Sequence, residues 1–250
     1  MNYFDEFLSR NIVGEPTTEQ IAVEEACRLF DGLAELVKVH ESEIAKIQID
    51  EAAMEAANYS ETNKYPVFVL LTKGHSPLSK IIFTMTGDEH SHASIAFGIK
   101  LTSIYSFGTK KLNPKREMGF VHISANSDTW GEIPTEYDLF VTFVDYAAKK
   151  KMMQTLEYFT TNSDRLKYHW AGLVKIFFHI KTRNQKAFIC SRFVAAILGA
   201  GGVELSRDSS LYRPSQLRDI ENVEYVISGP SIQNYDWKAA QRALDKIKTK

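Results

Sequence analysis

Two short segments, far apart in the chain, hold the side-chain types that nucleophilic chemistry needs. Residues 87–98 read GDEHSHASIAFG, and residues 188–198 read FICSRFVAAIL. The first puts His92 at the mouth of an alternating, strand-like run. The second puts Cys190 at the first turn of an apolar helix. A thiol at a helix N-terminus sits in the positive end of the macrodipole, which favours thiolate over thiol. An imidazole on a neighbouring strand is the usual partner that takes the thiol proton. Brought together, the two would make a cysteine hydrolase or acyltransferase site.

Each residue also has a plainer reading. Phe188, Ile189, Phe193 and Val194 flank Cys190, so it equally fits a buried core cysteine. His92 fits a hydrogen-bonded histidine without chemistry. His90 would share its face if the strand began two residues earlier, and it is the competing base; otherwise it is expected in the preceding turn with Asp88 and Glu89, more exposed than His92. A His90/His92 metal pair lacks a third ligand at recognisable spacing, so no metal is expected. Cys27 falls within a helical stripe and reads as a small buried hydrophobe. His122, His169 and His179 have no motif around them.

The elements that must position these residues follow from periodicity. TTEQ opens a helix over about 17–40, with Thr17 and Gln20 as a capping box. Its apolar stripe runs through Val23, Ala26, Cys27, Phe30, Leu33, Ala34 and Val37. A second helix is expected over about 42–58, and the polar YSETNK (59–64) forms a joint. VFVLLT (67–72) then reads as a buried strand. SPLSKIIFTMTG (76–87) reads as a helix, with Ser76 as cap, Pro77 at its first position and Gly87 as its stop. Strands are expected over 92–99, 102–108, 119–124 and 138–144, a helix over 147–159, and an apolar helix-like segment over 167–180. The Cys190 helix should end at the glycines of GAGG. Helices followed by several antiparallel-looking strands indicate an α+β fold. The chain divides into an N-terminal helical extension (1–62) and a main domain (63–250).

Composition narrows the functions. The 250 residues are 44% hydrophobic and 24% charged, as in an ordinary globular protein. A net charge of −1 gives no footprint for nucleic acid. Lys149–Lys151 and the Lys-rich end at 246–250 read as solvated faces. No apolar run is long enough to span a bilayer, and MNYFDEFLSRNIVGEP lacks a secretory pattern. Two cysteines cannot make a disulfide framework. A cytoplasmic protein is expected, or a virion-associated one.

The segments SPLSK (76–80), TGDEHSHASIAFG (86–98), YSFG (105–108) and FICSRFVAAIL (188–198) together resemble the permuted papain-like members of the NlpC/P60 superfamily, the YiiX-like cysteine hydrolases. In those proteins the histidine strand precedes the cysteine helix. The resemblance covers about residues 65–230. It implies an antiparallel sheet packed on the cysteine helix, with Cys190 as nucleophile and His92 as base. Relatives place an acidic or polar residue on the next strand, which here is Ser106. A serine hydroxyl can fix an imidazole tautomer but stabilises imidazolium less than a carboxylate does. Tyr168 and Trp170 are candidates for lining a substrate groove, or else for the core of an apolar helix.

The function expected from this is cleavage of an amide bond through a thioester on Cys190. The substrate class implied is a peptidoglycan peptide, an isopeptide or another small amide, and no cofactor is needed. Acyl transfer or thioesterase action on a lipid substrate is an alternative. So is a non-catalytic structural protein that keeps the scaffold. The YSFG and Cys-Ser-x-Phe-Val patterns also resemble bacteriophage proteins, which would have the N-terminal helices assemble into a larger particle.

Overall fold

The computed structural model describes residues 64–74, 83, 87–109, 118–127, 130, 134–168 and 187–249. All of them fall within one compact unit, residues 41–250. The expected helical hairpin with Cys27, most of the joint at 59–64, most of the 76–87 helix, Trp170, His169 and His179 lie outside the described residues.

Six strands form one antiparallel sheet: β1 (Tyr65–Lys73), β2 (His92–Ala96), β3 (Ile104–Thr109), β4 (Met118–Ile123), β5 (Glu136–Val144) and β8 (Glu224–Gly229). Their order is β4-β3-β2-β1-β5-β8. β1 sits inside the sheet and pairs along its whole length with β5. Both faces of β1 are covered, which is why its sequence is continuously apolar rather than alternating. A two-stranded parallel pair, β6 (Lys167–Tyr168) and β7 (Ala187–Phe188), stands apart from the main sheet. The segment expected to be helical from 167 therefore begins as a strand.

Among the described residues three helices accompany the sheet in an α+β fold: α1 (Tyr146–Thr161), α2 (Cys190–Ala200) and α3 (Trp237–Lys248). Asp145 caps α1 by accepting from the Ala148 N–H at 2.7 Å, and Asp236 caps α3. α1 and α2 bury Met152, Leu156, Phe159, Phe193, Val194 and Leu198 against one sheet face, which presents Val67, Val69, Leu71, Ala93, Ile95 and Phe107. α3 covers the other face with Ala240 and Leu244, over Phe68, Leu70, Ala96, Ile104 and Leu139. Gly87 adopts φ +62 and donates its N–H to the Phe83 carbonyl at 2.8 Å. This is the left-handed geometry by which glycine ends a helical turn, in keeping with its reading as a stop.

Phe107 is the aromatic hub beneath α2. Its ring packs on Phe120, Phe159, Phe188 and Phe193, with centroids 5.4–5.9 Å apart. Truncation there removes partners from β4, α1, β7 and α2 together. Phe107→Ala is expected to cost about 3–5 kcal/mol, read as a lowered urea midpoint with unchanged slope. A loss under about 1 kcal/mol would mean the cluster repacks around the gap.

Candidate active site

α2 begins at Cys190 straight from extended backbone at Ile189, with no side chain capping its first turn. Its first N–H groups are thus available to neighbours. One neighbour is the Cys190 sulfur itself, whose thiolate form is favoured by the backbone N–H groups of Ala93, Ser191 and Cys190. Burial works against all three. The thiol is 3% exposed, and desolvation, with Asp88 adding like charge, pushes it up to about 11 from 9.0. The expected lowering of the thiol pKa by the helix N-terminus is therefore reversed: desolvation outweighs the dipole, and Cys190 is a neutral thiol at pH 7 in this state.

The Ala93 N–H, one residue after His92 in β2, is thus among the groups that act on the sulfur. Ala93 and Ile95 pack toward α2, whereas His92 and Ser94 alternate onto the face shared with Ala96. The thiol and the imidazole therefore flank the same peptide from different sides. Pairing of β2 with β3 covers Ile95↔Tyr105 and Ala96↔Ile104. Beyond these the strands are bridged by a side chain: Ser106 Oγ donates to the Ala93 carbonyl at 2.6 Å. The His92 ring lies over Gly108, where an added Cβ would stand 3.0 Å from its Cε1. Some of its surface stays open, yet burial lowers its pKa from 6.5 to about 4. The imidazole is neutral at pH 7.

Ser106 is fully buried, and its one proton goes to Ala93. Only its lone pairs remain for an imidazole N–H, so its evident work is on the strand that carries His92. Tyr168 lies in β6, opposite Phe188, two residues before Cys190; Trp170 lies outside the described residues.

His90 departs from expectation. Read as the more exposed of the pair, it is instead completely buried. Its Nδ1 lies 2.8 Å from Ser215 Oγ and its Nε2 2.6 Å from Asp138 Oδ2. Both ring nitrogens are thus engaged, which removes His90 as a competing base for the thiol. Asp138 carried a readable signal: it shares a strand face with Phe140 and Val144, which face the α2 core, and an acid there needs a partner. Ser215 and Asp88 had none. Among the described residues no three His, Cys, Asp or Glu side chains form a metal-holding group, and no helix is long and apolar enough to cross a membrane. Searches against protein families and curated proteins find no match.

The depressed His92 pKa fixes a sign. Uncharged in the fold and titrating near 6.5 when unfolded, His92 supports stability above pH 6.5, and that support is lost as pH falls through about 4. His122, also lowered by burial, adds in the same direction. His92→Gln should flatten the acid limb of stability against pH by on the order of 1–3 kcal/mol, measured by urea unfolding from neutral pH down to about pH 4. Parallel acid limbs for the two proteins would contradict the buried neutral imidazole.

Proposed function

We propose that the chain is a cysteine hydrolase of the permuted papain-like NlpC/P60 type, with Cys190 as nucleophile and His92 as base. One observation carries the reading: the backbone N–H of Ala93, the residue that follows His92, is among the groups that favour the Cys190 thiolate. The helix order, the antiparallel sheet and the placement of α2 on it support the same reading.

The chemistry follows from the neutral pair. At pH 7 the proton stays on sulfur, because a thiol near 11 does not give it up to an imidazole near 4. Transfer to His92 is then coupled to attack on a substrate carbonyl. The S–C bond forms as the carbonyl π electrons move to oxygen, which the N–H groups at the uncapped start of α2 are suited to hold. Collapse of this intermediate breaks the C–N bond, and the His92 imidazolium gives its proton to the leaving amine. Water, deprotonated by His92, attacks the thioester and releases acid and thiol. An alcohol or amine in place of that water gives acyl transfer on the same intermediate. The substrate class is a small amide, such as a peptidoglycan stem peptide.

A second reading has a specific observation in its favour. A thiol 3% exposed, protonated and beside the Asp88 charge, suits a scaffold that binds or assembles without turnover.

The two are separated by incubating the full chain with a panel of stem peptides and isopeptides, following amine release and the intact mass of the protein. The hydrolase reading expects an acyl adduct on Cys190. It also expects no turnover by Cys190→Ala, and a loss of roughly 10²–10⁴-fold for His92→Ala. Amine release that survives Cys190→Ala would refute the assignment, and a folded protein inert to the whole panel would favour the scaffold.

A further inference from the structure

Four buried or half-buried polar side chains beside this site are used by no step above: Asp88, His90, Asp138 and Ser215. They come from three places, namely the turn before β2, the face of β5 that meets α2, and the 3₁₀ turn Ser215–Asp219. We infer that they form a charged positioning clamp, with His90 held as an imidazolium between Asp138 and, through Ser215, Asp88.

Proton bookkeeping carries the charge assignment. Asp88 accepts from the His90 backbone N–H at 3.0 Å, from the Ser215 backbone N–H at 3.1 Å and from the Ser215 hydroxyl. An acceptor of three donors is an ionised carboxylate. With the Ser215 proton spent on Asp88, the 2.8 Å contact between His90 Nδ1 and Ser215 Oγ is made by Nδ1–H donating. The Nε2 contact to Asp138, at 2.6 Å, needs a proton as well. Asp138 keeps 23% of its side chain in solvent, which favours its charged form, so that proton sits on Nε2 as a charge-assisted bond. Hydroxyl, imidazole and carboxylate thus stand in the order of a hydrolytic triad. The Ser215 proton points away from the imidazole, however, so the hydroxyl is not an activated nucleophile.

The remaining charges on these elements pair elsewhere. Arg218 lies 3.6 Å from Glu89 and 3.9 Å from Asp219, and Lys73 lies 3.7 Å from Glu136. What the clamp positions is read from the chain on either side. Asp88 and His90 precede His92 by a few residues, and Ser91 is fixed to β1 through Thr72 and to Gly74. On the other side, Ser191, next to Cys190, donates to the Tyr212 carbonyl at 2.6 Å, three residues before Ser215. A single run of short contacts thus ties the helix start at Cys190 to the strand start at His92. His90, Asp138 and Ser215 are positioning residues, not catalytic ones.

The consequence for Cys190 rests on the proposed Cys190–His92 site, whereas the protonation of His90 stands independently of it. The test therefore reads both in the full chain. Two-bond ¹H–¹⁵N correlation spectra at about pH 8, above the ordinary histidine range, should show both His90 ring nitrogens protonated while His92 and His122 carry one proton each. Asp138→Asn should remove the second His90 proton and change the Cys190 iodoacetamide rate by on the order of tenfold. Ser215→Ala is the second variant, for use if Asp138→Asn fails to fold, and should change that rate in the same way. A singly protonated His90 in the wild-type protein overturns the clamp, whatever Cys190 does. A doubly protonated His90, with Cys190 pH–rate profiles that superimpose on wild type in the folded variants, overturns its positioning role.

Discussion

The peptide edge of Ala93 is the point on which the site depends. In an antiparallel strand the N–H and C=O of one residue point to the same neighbour. At Ala93 these groups act on side chains: Ser106 donates to the carbonyl, and the N–H favours the Cys190 thiolate. A strand carried on in regular register would seal that edge with backbone. Because pairing of β2 with β3 is confined to Ile95↔Tyr105 and Ala96↔Ile104, the sulfur has a place beside the strand that bears His92. The YSFG motif divides the labour of keeping it so. Tyr105 stacks on His122 at 4.6 Å, Ser106 holds Ala93, Phe107 anchors α2, and Gly108 leaves room for the His92 ring.

Two electrostatic effects compete at Cys190, and their sizes decide the outcome. A helix N-terminus favours an anion by about 0.3–1 kcal/mol, or up to ~2 in partly buried geometry. A thiol moved from 9.0 to about 11 has lost on the order of 3 kcal/mol in the other direction. Burial wins, and it wins at His92 too. In the free protein Cys190 is therefore a neutral thiol and His92 a neutral imidazole. On the proposed hydrolase reading, charge separation waits for a substrate that supplies the oxyanion and displaces solvent.

Much of this was legible in the residues. Apolar runs, alternation and turn chemistry located β1 to β5 to within a few residues, because each has one or two covered faces that dictate its pattern. The Cys190 helix and its glycine stop were legible for the same reason. What escaped was chemistry that depends on contacts distant in sequence. His90 looked like a solvated turn residue among acids, yet Asp138 and Ser215, 48 and 125 positions on, bury it by pairing with it. The thiol pKa was misread because the dipole is a local property of a helix start, whereas desolvation is set by everything packed around it. Lys167–Tyr168 followed β7 rather than its own apolar pattern, a tertiary pairing that no local periodicity announces.

The central claim is that Cys190 and His92 share one site around Ala93, and it can be tested without knowing the substrate. Cys190 is carboxamidomethylated in a Cys27→Ser protein, which leaves it as the single thiol, and the histidine ring resonances are titrated before and after. A polar amide on a sulfur beside the imidazole should move the His92 resonances and shift its pKa away from about 4, while His122, on β4, stays where it was. Unchanged His92 resonances and an unchanged His92 titration in the fully alkylated, folded protein would contradict the account.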